Sequence, residues 1–113
     1  MKKKVIVKIL VILFCFPNIS LSNDLALGKE VAQTICSACH GLDGQAASGG
    51  NSSLVPNIFA QNKDYLIVKL KEYKSEKINH PQMTLIAKML TDDQIVNVSE
   101  WYSKISVEIK LPE

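Results

Sequence analysis

Within five residues the chain sets two cysteines and a histidine, as Cys36-Ser37-Ala38-Cys39-His40, and its only other cysteine is Cys15. On a helical turn, positions i, i+3 and i+4 share one face, so both sulfurs and the imidazole are presented together. This is the spacing of a c-type haem attachment site. The two sulfurs add to the two vinyl groups along one porphyrin edge, and His40 projects under the ring toward the iron. Small side chains at Ser37 and Ala38 keep the turn clear of the macrocycle. Rival uses of the pattern fit less well. A redox-active Cys-x-x-Cys belongs in a thioredoxin-like βαβ setting, which this sequence lacks. A structural zinc site needs a fourth ligand, usually from a second Cys/His pair, and His80 alone is a poor supply. A structural disulfide leaves His40 without a purpose.

The first 22 residues read as an export signal. Lys2, Lys3 and Lys4 make a positive start, residues 5–16 are apolar except for Lys8, and Pro17 ends the run. Ser20 and Ser22 are small residues where a signal peptidase reads, which places cleavage between Ser22 and Asn23. An uncleaved anchor needs about 20 apolar residues; this run is shorter and carries a lysine. A lipid anchor on Cys15 is disfavoured by bulky Phe14 before it. The mature chain, 23–113, is therefore expected in the periplasm as one domain, with no stable membrane insertion.

Removing the signal inverts the charge. The whole chain has 13 basic and 11 acidic residues, for +2. Four lysines leave with the signal, so the mature chain holds nine lysines against eleven acids. Its basic balance was the signal's, and nucleic-acid binding has no support. With Cys15 gone, two cysteines three positions apart cannot scaffold a disulfide-rich fold. A 91-residue domain has a modest core, and a buried prosthetic group would add apolar surface to it.

The mature chain reads as all-α, with three to four short helices and long loops. Gly28, Val31, Ala32 and Ile35 recur at helical spacing over 24–35, with Asp24 suited to cap the start. Residues 41–53, rich in Gly, Ser, Ala and Asn, suggest a mobile surface loop. Residues 54–60 contain Pro56 and are expected to be extended. A helix over 63–77 places Leu66, Ile67, Leu70 and Tyr73 on one face. Residues 78–83 form a connector in which Pro81 disfavours helix at His80, and a short helical turn follows over 84–90. Thr91-Asp92-Asp93-Gln94 is a capping box, after which Ile95, Val98, Tyr102 and Ile105 keep helical spacing beside Trp101. Connections this long suit helices that wrap a bulky group.

An electron-carrying haem iron normally has two protein ligands. Met83, Met89 and His80 are the candidates for the second. Met83 lies in the connector, where an extended segment could cross the far haem face. Met89 sits at helical spacing before the Thr91 cap, where core packing is expected. His80 reads as a solvent-facing loop residue, although a bis-histidine site remains open. Position favours Met83, since His/Met ligation is the usual electron-transfer pairing.

Gly28-Lys29, the 36–41 motif, 56–61, 65–77, 81–83 and 90–102 together resemble class I c-type cytochromes of the small bacterial monohaem kind. The chain is similar to one half of diheme cytochrome c4. The resemblance covers most of the mature chain and implies the cytochrome c fold around one haem c, held by two thioethers. It implies Met83 as distal ligand, and the Pro56 carbonyl as acceptor of the His40 Nδ1 proton. It also implies Gly28 at the crossing of the first and last helices, against Trp101 or Tyr102. Two positions depart from the family. Ala60 stands where relatives commonly have glycine, and Ala32 where the first helix is often aromatic, implying a smaller contact between the terminal helices.

The function expected is single-electron transfer, without catalysis. Closed coordination by His40 and Met83 leaves the iron no open position. The partners expected are redox proteins: a membrane oxidase, a quinol-oxidising complex or a dehydrogenase. The alternative is a haem subunit fixed within a flavoprotein or other dehydrogenase complex. Lys69, Lys71, Lys74 and Lys77 could form a docking patch, but Glu72 and Glu76 interrupt them, and mixed charge on a solvated helix explains them more simply.

Overall fold

The computed structural model describes residues 22–49 and 54–113. The signal segment at 1–22, apart from the backbone of Ser22, and positions 50–53 of the expected loop lie outside the described residues. Among the described residues the elements are all helical: α1 (Ser22–Val31), a π-helical turn (Ala32–Cys36), α2 (Ser37–His40), α3 (Lys63–Lys74), α4 (Met83–Met89) and α5 (Asp92–Ser103). No helix among them is long and apolar enough to cross a membrane.

The first helical run is longer than the periodicity implies. It begins at Ser22, so Asp24 lies in its first turn, where a carboxylate complements the helix dipole, and is not its cap. It then continues through the π turn and α2 to His40. The widened turn is closed by the Ser37 N–H donating to the Ala32 carbonyl. Its flanks are held by Thr34 Oγ1 to the Glu30 carbonyl at 2.8 Å and Ser37 Oγ to the Gln33 carbonyl at 2.9 Å. One added residue in a turn rotates everything after it by roughly 100°. Val31 and Ala32 thus stay buried in the core, while Ile35 and Cys36 pack against it only partly buried.

α1 packs across α5. The approach is so close at Gly28 that a Cβ there would overlap the Asn97 carbonyl oxygen and press on Trp101. Only glycine permits this crossing. Val31, Ala32, Leu90, Ile95, Val98 and Tyr102 form the core, with Ile95 and Ala32 fully buried. The start of α5 carries both halves of the capping box: Thr91 Oγ1 accepts the Gln94 N–H at 3.1 Å, and Gln94 Oε1 accepts the Thr91 N–H at 2.9 Å.

Three expectations give way. α3 stops at Lys74, three residues early, because Glu76 takes a left-handed conformation (φ 61°) and turns the chain. Its start is capped by Asn62, whose Oδ1 accepts the Tyr65 N–H. The segment after His40 is anchored where it is described. Gly44 and Ala46 are buried, the Ile58 N–H donates to the Gly44 carbonyl at 2.8 Å, and Asn57 Oδ1 accepts the Ala46 N–H at 2.9 Å. The third is Met89, which is 67% exposed because α4 turns Thr84 and Ala87 inward; it packs in no core.

Ala60 also has a left-handed backbone, φ 52°, and its N–H donates to the Tyr102 carbonyl at 3.0 Å. An L-residue pays steric strain there that glycine escapes. Ala60→Gly is expected to raise stability by about 0.5–1 kcal/mol after allowing for the looser unfolded chain. Thermal unfolding followed by circular dichroism should show Tm rising by roughly 2–6 °C; an unchanged or lower Tm would refute the strain argument.

Candidate functional site

The three stretches that the helices hold together enclose one cavity of about 540 Å³. Its size lies in the range of cofactor pockets. Cys36, Cys39 and His40 line it from the end of the first helical run, Pro56 from the segment after the loop, and Met83 from the start of α4. Most of the remaining wall is apolar, including Leu66, Leu70, Ile86 and Val98. The five residues singled out in the sequence, far apart along the chain, thus face one space.

The π turn accounts for the first group. In an unbroken α-helix Cys36 would follow Ala32 by four and share its core stripe. The extra residue turns Ile35, Cys36, Cys39 and His40 onto the cavity. Burial in apolar surroundings pushes the Cys36 thiol up to about 11. The pocket therefore disfavours a thiolate there and suits a neutral sulfur. Cys36 and Cys39 are free of any disulfide. Among the described residues no three His, Cys, Asp or Glu side chains converge to hold a metal ion, so the tetrahedral donor set of zinc is not assembled.

His40 is oriented from across the cavity. Its Nδ1 lies 2.9 Å from the Pro56 carbonyl oxygen. A carbonyl can only accept, so Nδ1 carries the proton and Nε2 keeps its lone pair. Met83 opens helix α4 instead of lying in an extended connector, and it is half-buried. His80 is a second departure from expectation: it is half-buried and lines the cavity, with its ring edge-on to Tyr73 at 5.9 Å. Sequence reasoning missed this; the signal available was a polar residue before proline with Thr84 four positions on. Ser99 was missed too. Its hydroxyl is buried in the cavity wall without a hydrogen-bond partner among the described residues.

The last turn of α5 ties the site to the core. Trp101 Nε1 donates to the Leu42 carbonyl and the Tyr102 hydroxyl to the Gly41 carbonyl, each at 2.9 Å. Both carbonyls lie in the two residues after His40. Burial, then the nearby Cys36 and Asp43, push the Tyr102 phenol far above its usual value of 10.0. The folded protein therefore prefers the neutral phenol. That contribution is complete below pH 10 and is lost as pH rises from there, since the unfolded chain ionises first. Tyr102→Phe is expected to cost about 1 kcal/mol at pH 7. Urea unfolding from pH 7 to 11.5 should show the unaltered protein weakening more steeply above pH 10 than the variant. Parallel curves would contradict the assignment.

The family Cytochrome c matches residues 25–105 of this chain. Cytochrome c-554(548) of Halomonas halodenitrificans is 34% identical over 85 residues, spanning 73% of this chain and 96% of that protein. Cytochrome c4 of Thiocapsa roseopersicina is 31% identical over 83 residues, 71% of this chain but only 39% of the relative. The cytochrome subunit of sulfide dehydrogenase from Chlorobaculum tepidum is 27% identical over 77 residues, 68% of this chain and 66% of that subunit. Haem c, the group a Cys-x-x-Cys-His motif takes, fits the residues present. The wall is apolar, two free sulfurs stand three positions apart, and a histidine has its Nε2 lone pair available.

Proposed function

Because this chain belongs to the cytochrome c family of haem-based electron carriers, we propose that it is a periplasmic single-electron shuttle, in which Cys36 and Cys39 would tether one haem c and His40 and Met83 would hold its iron. The observation that carries the reading is the single apolar cavity onto which Cys36, Cys39, His40, Pro56 and Met83 all face. When bound, the haem supplies an iron that gains and loses one electron at a time.

The chain's own residues do the rest. The Pro56 carbonyl fixes the tautomer and rotation of His40 and makes its imidazole a stronger donor. The soft thioether of Met83 favours the lower charge state, raising the potential relative to a second histidine. With His40 and Met83 both held to the iron, no position would be left for oxygen or peroxide, as suits a carrier. Export through the signal at 1–22 would deliver the domain 23–113 to the periplasm.

Docking follows from the surface. Lys69 and Lys77 both pair with Glu72, at 2.7 and 2.9 Å, Lys74 with Asp92 at 2.8 Å and Lys88 with Glu76 at 2.7 Å. Those carboxylates pair with three of the four lysines at 69, 71, 74 and 77, so a strong basic patch is not the basis of partner choice. The partners proposed are a quinol-oxidising complex and a membrane oxidase.

The ligand assignment is tested on protein made in a host competent in haem attachment. The haem should resist acid-acetone extraction, and Met83→Ala should abolish the weak sulfur–iron band in the far red and let carbon monoxide bind the reduced protein. A band that survives Met83→Ala moves the ligand elsewhere.

A second reading is supported by the relative named as a subunit of sulfide dehydrogenase. Here the chain would be a fixed subunit of a dehydrogenase, and Val68, Leu85 and Met89, each more than half exposed, would belong to the covered face. Size-exclusion chromatography of native periplasmic extract separates the two. The shuttle reading expects the haem to elute at the size of the free chain; co-elution with a flavoprotein would establish the other.

A further inference from the structure

We propose that His80 is the positioning residue for Met83, acting through Nδ1 as a hydrogen-bond acceptor, and that it is not itself an iron ligand; this rests on the reading of Met83 as ligand. Met83 begins a seven-residue helix. So short a helix has little stability of its own, so the place of Met83 depends on what holds that first turn. Gln82, at the cap position, makes no side-chain bond to it.

His80 makes those bonds instead. Its Nδ1 lies 3.2 Å from the Met83 nitrogen and 3.3 Å from the Gln82 nitrogen. Backbone N–H groups can only donate, so Nδ1 offers its lone pair to both and the ring proton sits on Nε2. The His80 carbonyl accepts the Thr84 N–H at 3.0 Å, so one residue serves three consecutive amides. Pro81 has no N–H to compete and presets the turn.

The bracket is itself held at both ends. The His80 N–H donates to Thr84 Oγ1 at 3.0 Å, and Thr84, which is buried, donates onward to the Ile78 carbonyl at 3.4 Å. Tyr73 of α3 meets the ring edge-on, at 73° between planes. Residue 80 is thereby fixed to α3 and to α4, and Met83 is placed relative to both.

Two substitutions in the haem-loaded full chain separate the acceptor from the ring. His80→Phe keeps an aromatic ring against Tyr73 but removes the acceptor. His80→Asn removes the ring but keeps an oxygen that can accept from the amides two and three residues on. The readouts are the far-red sulfur–iron band and carbon monoxide affinity of the reduced protein. His80→Phe should weaken the band and tighten carbon monoxide binding about tenfold, the equivalent of one lost hydrogen bond. His80→Asn should stay within about twofold of the unaltered protein, since its oxygen restores that bond. An unchanged His80→Phe, or a His80→Asn that loses the band, overturns the proposal. If His80→Phe fails to load haem, His80→Asn alone decides, a retained band supporting the acceptor role and a lost band refuting it. Met83→Ala run alongside keeps the two ideas apart: a band retained there defeats the ligand reading, whereas its loss beside an unaltered His80→Phe defeats only this one.

Discussion

The crossing of α1 over α5 is the contact from which the rest of the molecule is hung. It depends on Gly28, because any side chain there would meet the Asn97 carbonyl. Closing that gap brings the end of α5 against the residues that follow His40. Tyr102 then reaches three ways: its ring into the core, its hydroxyl to Gly41, and its carbonyl to the Ala60 N–H. With Trp101 on Leu42, the last turn of α5 holds both the segment leaving the haem motif and the one following Pro56. The cavity keeps its shape because its walls are tied to the most buried helix.

The two sides of that cavity are restrained in different ways. His40 stands at the end of a continuous helical run and is aimed by one carbonyl across the space. Met83 stands at the beginning of a short helix whose first turn is organised by His80 and Thr84. One side is stiff through helix length, the other through a compact set of side-chain bonds. The second arrangement is more easily loosened, since each bond in it contributes only about 1 kcal/mol.

Charge has a smaller part. Glu72 accepts from two lysines, and those bonds draw its carboxyl below the usual range. Asp92 is drawn down in the same way by Lys74 of α3. These pairs are exposed and screened, so they add little to stability. Their effect is to leave α3 nearly neutral along a face that reads in sequence as lysine-rich.

Much of the design was legible in the chain alone because it is local. Cys36, Cys39 and His40 are spaced by helix geometry; Thr91 and Gln94 cap each other within one turn; the α3 and α5 stripes follow helical periodicity. Position in the connector made Met83 a candidate, the resemblance to small c-type cytochromes added Pro56, and the fold sets both on the same cavity as His40. Other features depend on residues distant in sequence. The π turn before Cys36, the left-handed Ala60 and the outward Met89 have no local signature, and the inward His80 has only the slight one of a polar residue before proline with Thr84 four positions on. The turn's bonds lie within the helix, yet what it serves is a core on one side and a cavity on the other. His80 is drawn in by Tyr73 and Thr84, and Met89 is left outside because α4 commits its opposite face to packing. The sequence by itself determined which groups are offered for haem attachment, because covalent attachment needs those atoms at that spacing. Only the tertiary structure decided how they are aimed, because orientation is set by contacts that exist only once distant segments meet.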